Sequence, residues 1–235
     1  WAIISGVTYG LGLWSLYIAV NQGEASHINP FNGGIVTIFV FILSSLFLNE
    51  RLEIGQTVGI LILVLASFLL SFEKSQKHNG FHLGFVWAII AALFFAISNV
   101  TAKYLYGQYD FWTAFVWSKA TTGLVGLFLL LSPTVWHSFK KNKKETHVHK
   151  HSLSLIATDK IISIVAVILI QYAMSIGSVT IVGAMSGIQY VLMFVMIYLL
   201  TKFMPKVFKE YFTKREILVE VLALILVLVG SAFLV

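Results

Sequence analysis

A charged side chain inside an apolar run is the feature of this sequence that most demands a chemical explanation. Lys119 stands about eight residues into such a run, with Phe115 and Trp117 before it and Thr121-Thr122 after it. An ammonium at the centre of a bilayer costs on the order of 2.5–3.5 kcal/mol unless water or a counter-charge reaches it. Its functional use would be as the electrostatic partner of a carboxylate or phosphate on a bound solute. Its plain use would be to extend its stem to the nearer interface, about 12 Å of helix rise away. Both readings are open from the residues alone.

Most other polar groups in the apolar runs are uncharged. Asn32 and Ser186 occupy matching positions of two similar segments; Asn29 precedes Asn32 by one turn, and Gly183, Ser186 and Gln189 fall at helical spacing. Such stripes either line a pathway or bond across a helix interface. Gln171 and Tyr172 come late in another run, and each offers a hydrogen-bonding tip on a larger body. Tyr172, like Tyr17, also suits an interfacial aromatic belt. Asn99 and Lys103 are i and i+4 at the end of a further run, with Lys103 expected at the interface and Asn99 facing inward. His147, His149 and His151 alternate in a Lys-rich connection, a spacing that suits no regular helical metal site. No nucleophile–base set, phosphate loop or paired intramembrane carboxylates are present, so neither an enzyme nor a cofactor is expected.

The elements that must position these residues are long and apolar. The chain has 58% hydrophobic and 11% charged residues and a mean hydropathy of +0.89, which excludes an ordinary soluble domain. Eight apolar runs stand out, at 1–20, 30–48, 54–72, 83–102, 111–131, 161–176, 179–200 and 217–235. Most approach the roughly 18–20 residues that cross a bilayer core. They are continuously apolar instead of alternating, so helices are expected and a barrel is not. Pro30 is expected to begin the second helix. The pairs Gly6/Gly10, Gly55/Gly59 and Gly183/Gly187 are expected to let helices pack closely. There is no cysteine, hence no disulfide and no thiolate chemistry.

Thirteen of the sixteen Lys/Arg residues lie in three connections: Lys74 and Lys77, Lys140 to Lys160, and Lys202 to Arg215. In an alternating topology these share one face, which the positive-inside rule places in the cytoplasm, with both ends of the sequence outside. Clusters of this kind beside spans set topology or meet anionic lipid, so the lipid bilayer and a small-molecule substrate are the expected partners and nucleic acid is not. A homodimer is an open alternative.

The stretch Tyr17–Ser71 returns in outline at Tyr172–Val235. Gly23 and Gly33 fall on Gly177 and Gly187, and Gly59 through Ser67 lies over Ala223 through Ser231. The run from Pro30 to Glu50-Arg51-Leu52, then Gly55-Gln56 and Gly59 before an apolar helix, resembles the EamA-like repeat of the drug/metabolite transporter superfamily. The segment from Trp87 to Asn99 and Lys103 resembles the opening helix of such a repeat. The second copy departs from the pattern, with Ala184 at the Pro position and Met204-Pro205 where Glu50-Arg51 would recur. The resemblance implies an all-α polytopic membrane protein: eight transmembrane helices of a ten-helix bundle made of two inverted five-helix repeats. On that frame, 1–73 holds the last three helices of the first repeat, whose first two are absent. The second repeat is 83–235, with a basic His-rich loop at 137–160. The resemblance further implies cytoplasmic termini, opposite to the lysine count. It implies a secondary transporter in the cell (inner) membrane that exports small organic metabolites or drugs. A metal transporter using the His-rich loop and a non-transporting scaffold or sensor are the alternatives. The residues named for a substrate site are Asn32, Asn99, Lys119, Gln171, Tyr172, Ser186 and Gln189.

Overall fold

The computed structural model describes residues 1–23, 25–71, 83–130, 150–203 and 214–234, and every regular element among them is a helix. These are α1 (Ala2–Gln22), α2 (Ala25–Phe47), α3 (Ile54–Ser71), α4 (Leu83–Gln108), α5 (Phe111–Leu130), α6 (Lys150–Ile176), α7 (Val179–Met185), α8 (Ile188–Phe203) and α9 (Lys214–Ala232). Among the described residues five stretches are long and apolar enough to cross a membrane: Ala2–Gln22, His27–Phe47, Ile54–Ser71, Leu83–Gln108 and Ile156–Ile176.

Helix α4 is the centre of the bundle because its sequence lets neighbours approach on two sides. Ala88, Ala91, Ala92 and Ala96 are fully buried. Between apolar helices in an apolar solvent, close backbone approach and hydrogen bonds drive association, so small residues mark the contacts. Helix α1 runs antiparallel to α4. Ser5 and Ser98 exchange hydroxyl-to-carbonyl bonds of 3.2 and 2.8 Å, Gly12 lies against Phe95, and Ala19 shares a core with Phe85 and Ala88. Helix α2 runs parallel to α4 on another side, and Val40, Ala96, Val100, Met174 and Val179 form the core that ties both to α6 and α7. Helix α5 packs on α1, where Gly6 and Gly10 admit Thr121 and Val125.

Helix α3 carries the other core, with Ile60, Leu63, Val64 and Ala66 packed among Ala184, Val227 and Leu234. Gly59 meets Gly230, Phe233 and Leu234, while Leu63 meets Gly230, so α3 and α9 cross in opposite directions. A Cβ on Gly59 would stand 2.7 Å from the Gly230 carbonyl oxygen, so glycine is required there for the crossing distance. Of the expected close-packing glycine pairs, only Gly6/Gly10 acts as a pair; nothing lies within 4 Å of a Cβ built on Gly55 or Gly183.

Three local expectations change. Helix α2 begins at Ala25, so Pro30 sits inside its second turn and does not start it. The run 161–176 is the second half of a 27-residue helix, α6, that begins at Lys150; the end of the His-rich connection, including His151, is therefore helical. The run 179–200 is broken at Ser186–Gly187 into α7 and α8, so Gly183, Ser186 and Gln189 do not form a continuous helical stripe. The small residues there are weak helix formers, and the backbone passes through three i→i+3 bonds, including Gly187 N to Ala184 O at 3.1 Å. Helix α6 exposes apolar side chains on all sides, among them Ile161, Ile164, Val165 and Leu169. Lys74, Lys77, the cluster Lys140 to Lys144, His147, His149, Lys206 and Lys209 lie outside the described residues.

Candidate functional site

Polar groups concentrate along one stripe of α4 and at the helix ends beyond it. Phe95, Asn99, Lys103 and Tyr106 follow the helical spacing that puts them on one face. At the start of the stripe, Phe95 meets the Tyr9 ring of α1 edge-on, with centroids 5.4 Å apart. The Lys119 ammonium of α5 lies 4.0 Å from the centroid of that same Tyr9 ring and 5.9 Å from that of Phe115. Phe95 is the thirteenth of the 26 residues of α4, so the Lys119 ammonium, which shares the Tyr9 ring with it, lies near the level of the helix middle. Among the described residues it has no ion-pair partner. Asp159 pairs with Lys160, Glu50 bonds to Thr180, and Asp110 takes the Thr113 amide. A desolvated cation–π contact gives about 2 kcal/mol or more, of the same order as the roughly 2.5–3.5 kcal/mol cost of the charge at a helix centre.

At the far end of the stripe α4 clamps the end of α6. Lys103 Nζ donates to the carbonyls of Ser175 and Gly177 at 3.0 and 2.7 Å. A cation is favoured there because the last carbonyls of a helix are unpaired and carry its negative dipole end. The Tyr106 hydroxyl donates to Gln171 Oε1 at 2.9 Å. Phe111 lies tilted against Tyr106 and edge-on to Tyr172, with centroids 5.4 and 5.3 Å apart. Lys103, expected at the interface, is therefore the hub of this end.

Beside it a second polar cluster joins α2 to α7. Asn49 adopts the left-handed conformation with φ 51°, which asparagine tolerates at a helix end, and the Glu50 amide then reaches back to Ser44 O at 3.2 Å. The turn brings the Glu50 carboxylate to Thr180, whose hydroxyl donates to it at 2.8 Å. Ser44 Oγ lies 2.8 Å from Thr180 Oγ1, and both residues are fully buried. Glu50 also acts electrostatically on Lys103. Thr180 and Ser44 carry no sequence signal, because isolated hydroxyls are common in apolar helices and these two are 136 residues apart.

The sequence-derived site residues divide accordingly. Asn99, Lys119, Gln171 and Tyr172 belong to the α4 stripe or its neighbours. Gln171 is buried and Tyr172 exposed. Asn32 lies elsewhere: it is buried, and its Nδ2 donates to Ala88 O at 2.8 Å, a bond across the α2–α4 interface. Ser186 bonds to Gly183 O at 2.6 Å at the break between α7 and α8, and Gln189 is exposed. No group of three or more His, Asp or Glu residues able to hold a metal occurs among the described residues.

No family model matches the chain. MJ1333.1, an uncharacterized protein of Methanocaldococcus jannaschii, is 38% identical over 76 residues, 32% of this chain and 53% of that protein. The match thus spans about half the length of that curated relative. A solved structure, described only as the crystal structure of a protein, superposes with a TM-score of 0.64 at 15% identity, over 99% of this chain and 87% of that one. At that identity the likeness is one of fold alone.

Proposed function

We propose that this chain is a secondary carrier in the cell (inner) membrane, exporting small organic metabolites or drugs by alternating access. The observation that carries the reading is the crossing of α3 and α9. In the repeat register Leu63 corresponds to Val227, Gly59 to Ala223 and Ala66 to Gly230. Leu63 and Val227 share one core, and Ala66 and Ala223 are both fully buried. Helices that correspond in sequence and cross antiparallel at corresponding residues are what an inverted repeat produces, and such repeats enclose central solute sites in carriers.

The ten-helix frame follows from the same register. Helices α1, α2 and α3 correspond to α6, α7–α8 and α9. Helices α4 and α5 cover α1, and α4 also covers α2. The counterpart helices α6 and α8 instead expose Ile161, Ile164, Leu192 and Met196. Two further helices equivalent to α4 and α5 would cover them and complete two five-helix repeats. The α4 stripe then lies where the halves meet.

Flux into proteoliposomes carrying the protein in its natural full length tests the reading. The panel is radiolabelled phenylalanine, benzoate and ethidium. Saturable uptake of at least one, with counterflow, is the expected result. Folded, inserted protein that moves none of them would overturn it.

A further inference from the structure

We infer that Lys119, with the Tyr9 ring beneath it, is the binding site for an anionic group, a carboxylate or phosphate, on a solute with an aromatic or apolar body. The inference deepens the carrier reading and depends on it only for its physiological meaning. Three observations carry it. The ammonium lies on the Tyr9 ring at 4.0 Å, and that ring in turn packs on Phe95, which brings it to the meeting of α1, α4 and α5. Among the described residues no carboxylate pairs with it. On the same turn of α5, the Ser118 hydroxyl is buried (4% exposed) and has no hydrogen-bond partner, while the nearby Thr121 and Thr122 hydroxyls bond to the carbonyls of Trp117, Gly6 and Ser118. The unpartnered Ser118 hydroxyl and the unpaired Lys119 ammonium can each donate to an acceptor. An anion supplies both the charge and the lone pairs. The surrounding Tyr9, Phe95 and Phe115 rings fit an apolar body, which fixes orientation by shape while the single charge fixes the end.

The test is equilibrium binding by titration calorimetry on the purified full-length protein in detergent, with benzoate, phenyl phosphate and the neutral benzamide as probes. Benzoate or phenyl phosphate should bind at least tenfold more tightly than benzamide. Lys119→Met should abolish that preference, and Lys119→Arg should keep part of it, because the charge survives while its shape changes. Preference for phenyl phosphate assigns a phosphate dianion, and preference for benzoate a carboxylate; either supports the inference. Equal binding of benzamide, undiminished anion binding by a folded Lys119→Met protein, or no binding of either anion would overturn it. The last result together with measured flux of ethidium would remove the anion site and leave the carrier reading standing. Melting curves for both variants separate loss of the site from loss of the fold.

Discussion

Replacing Gly59 by alanine should destabilise this protein, whereas the same change one turn earlier, at Gly55, should not. A Cβ at Gly59 would lie 2.7 Å from Gly230 O, 2.9 Å from Phe233 Cβ and 3.1 Å from Leu234 Cδ2. Two of these neighbours are fixed on the helix itself, so α9 must move outward by several tenths of an ångström to restore ordinary contact. Overpacking of this kind costs about 1–3 kcal/mol, and it is set against a gain of about 1 kcal/mol in helix propensity. At Gly55 nothing lies within 4 Å of the added methyl, so only the propensity gain remains. The pair should therefore differ by about 1–3 kcal/mol. For a chain of this size that is roughly 2–12 °C in Tm, readable by thermal unfolding in detergent with aggregation monitored by size exclusion. Gly59→Val should widen the gap. The crossing is also the contact on which the repeat reading rests, so Gly59→Val should reduce flux beyond its effect on folded yield. A Gly59→Ala protein as stable as Gly55→Ala would refute the tight crossing and the argument built on it.

Thr180→Val removes the hydroxyl that links Ser44 to Glu50; a loss of about 1–2 kcal/mol is expected, with most of it already present in Ser44→Ala/Thr180→Val cycles as a coupling energy if the three act as a unit. Lys103→Met should weaken the end of α6 by about 1–2 kcal/mol. Its signature would be faster hydrogen exchange in the last turn of α6 and at Gly177, with Lys103→Arg restoring part of the protection. Asp110 is held below the usual carboxylate range because its charged form accepts the Thr113 backbone amide at the start of α5. A depressed carboxyl stabilises the fold above its unfolded value, about 3.9, and loses that contribution as pH falls through the folded value. The Tm gap between the natural protein and Asp110→Ala should accordingly be present at pH 7 and close below about pH 4; a gap unchanged at acid pH would show that the cap is not electrostatic.

The all-helical architecture is legible because continuous apolar runs of this length favour helices, and four of the five membrane-length stretches among the described residues begin within a few residues of a run's start. The break at Ser186–Gly187 was not. Its residues are apolar or small enough to pass for a continuous span, and only the backbone bonding distinguishes the two. Lys119 was found from its charge alone, yet nothing in the sequence says that it turns toward Tyr9, 110 positions away. Lys103 ends an apolar run, a position that says nothing of what it bonds to. Its partners are backbone carbonyls of another helix, and carbonyls leave no trace in a sequence. The Glu50 turn was visible as part of a family-like motif, but its partner Thr180 is one hydroxyl among many. Asn32, a candidate for a substrate site, is buried and bonds to Ala88 O; the sequence does not separate a side chain that faces a solute from one that faces a neighbouring backbone.

Asn32 and Ser186 also show what the repeat register means physically. They occupy corresponding positions, and each must satisfy a polar side chain among apolar helices. Asn32 does so across an interface, because α4 lies beside α2 and presents Ala88 O. Ser186 has no helix in the position of α4 among the described residues, and its hydroxyl bonds within its own segment, to Gly183 O, at the point where the helix breaks. The difference between an intact α2 and a divided α7–α8 is thus tied to what stands next to each. A partner helix gives a mid-helix polar group somewhere to go and leaves the local backbone regular. Without one, the same position falls back on i→i+3 bonds, and discontinuities of that kind are where carriers place their solutes and coupling ions.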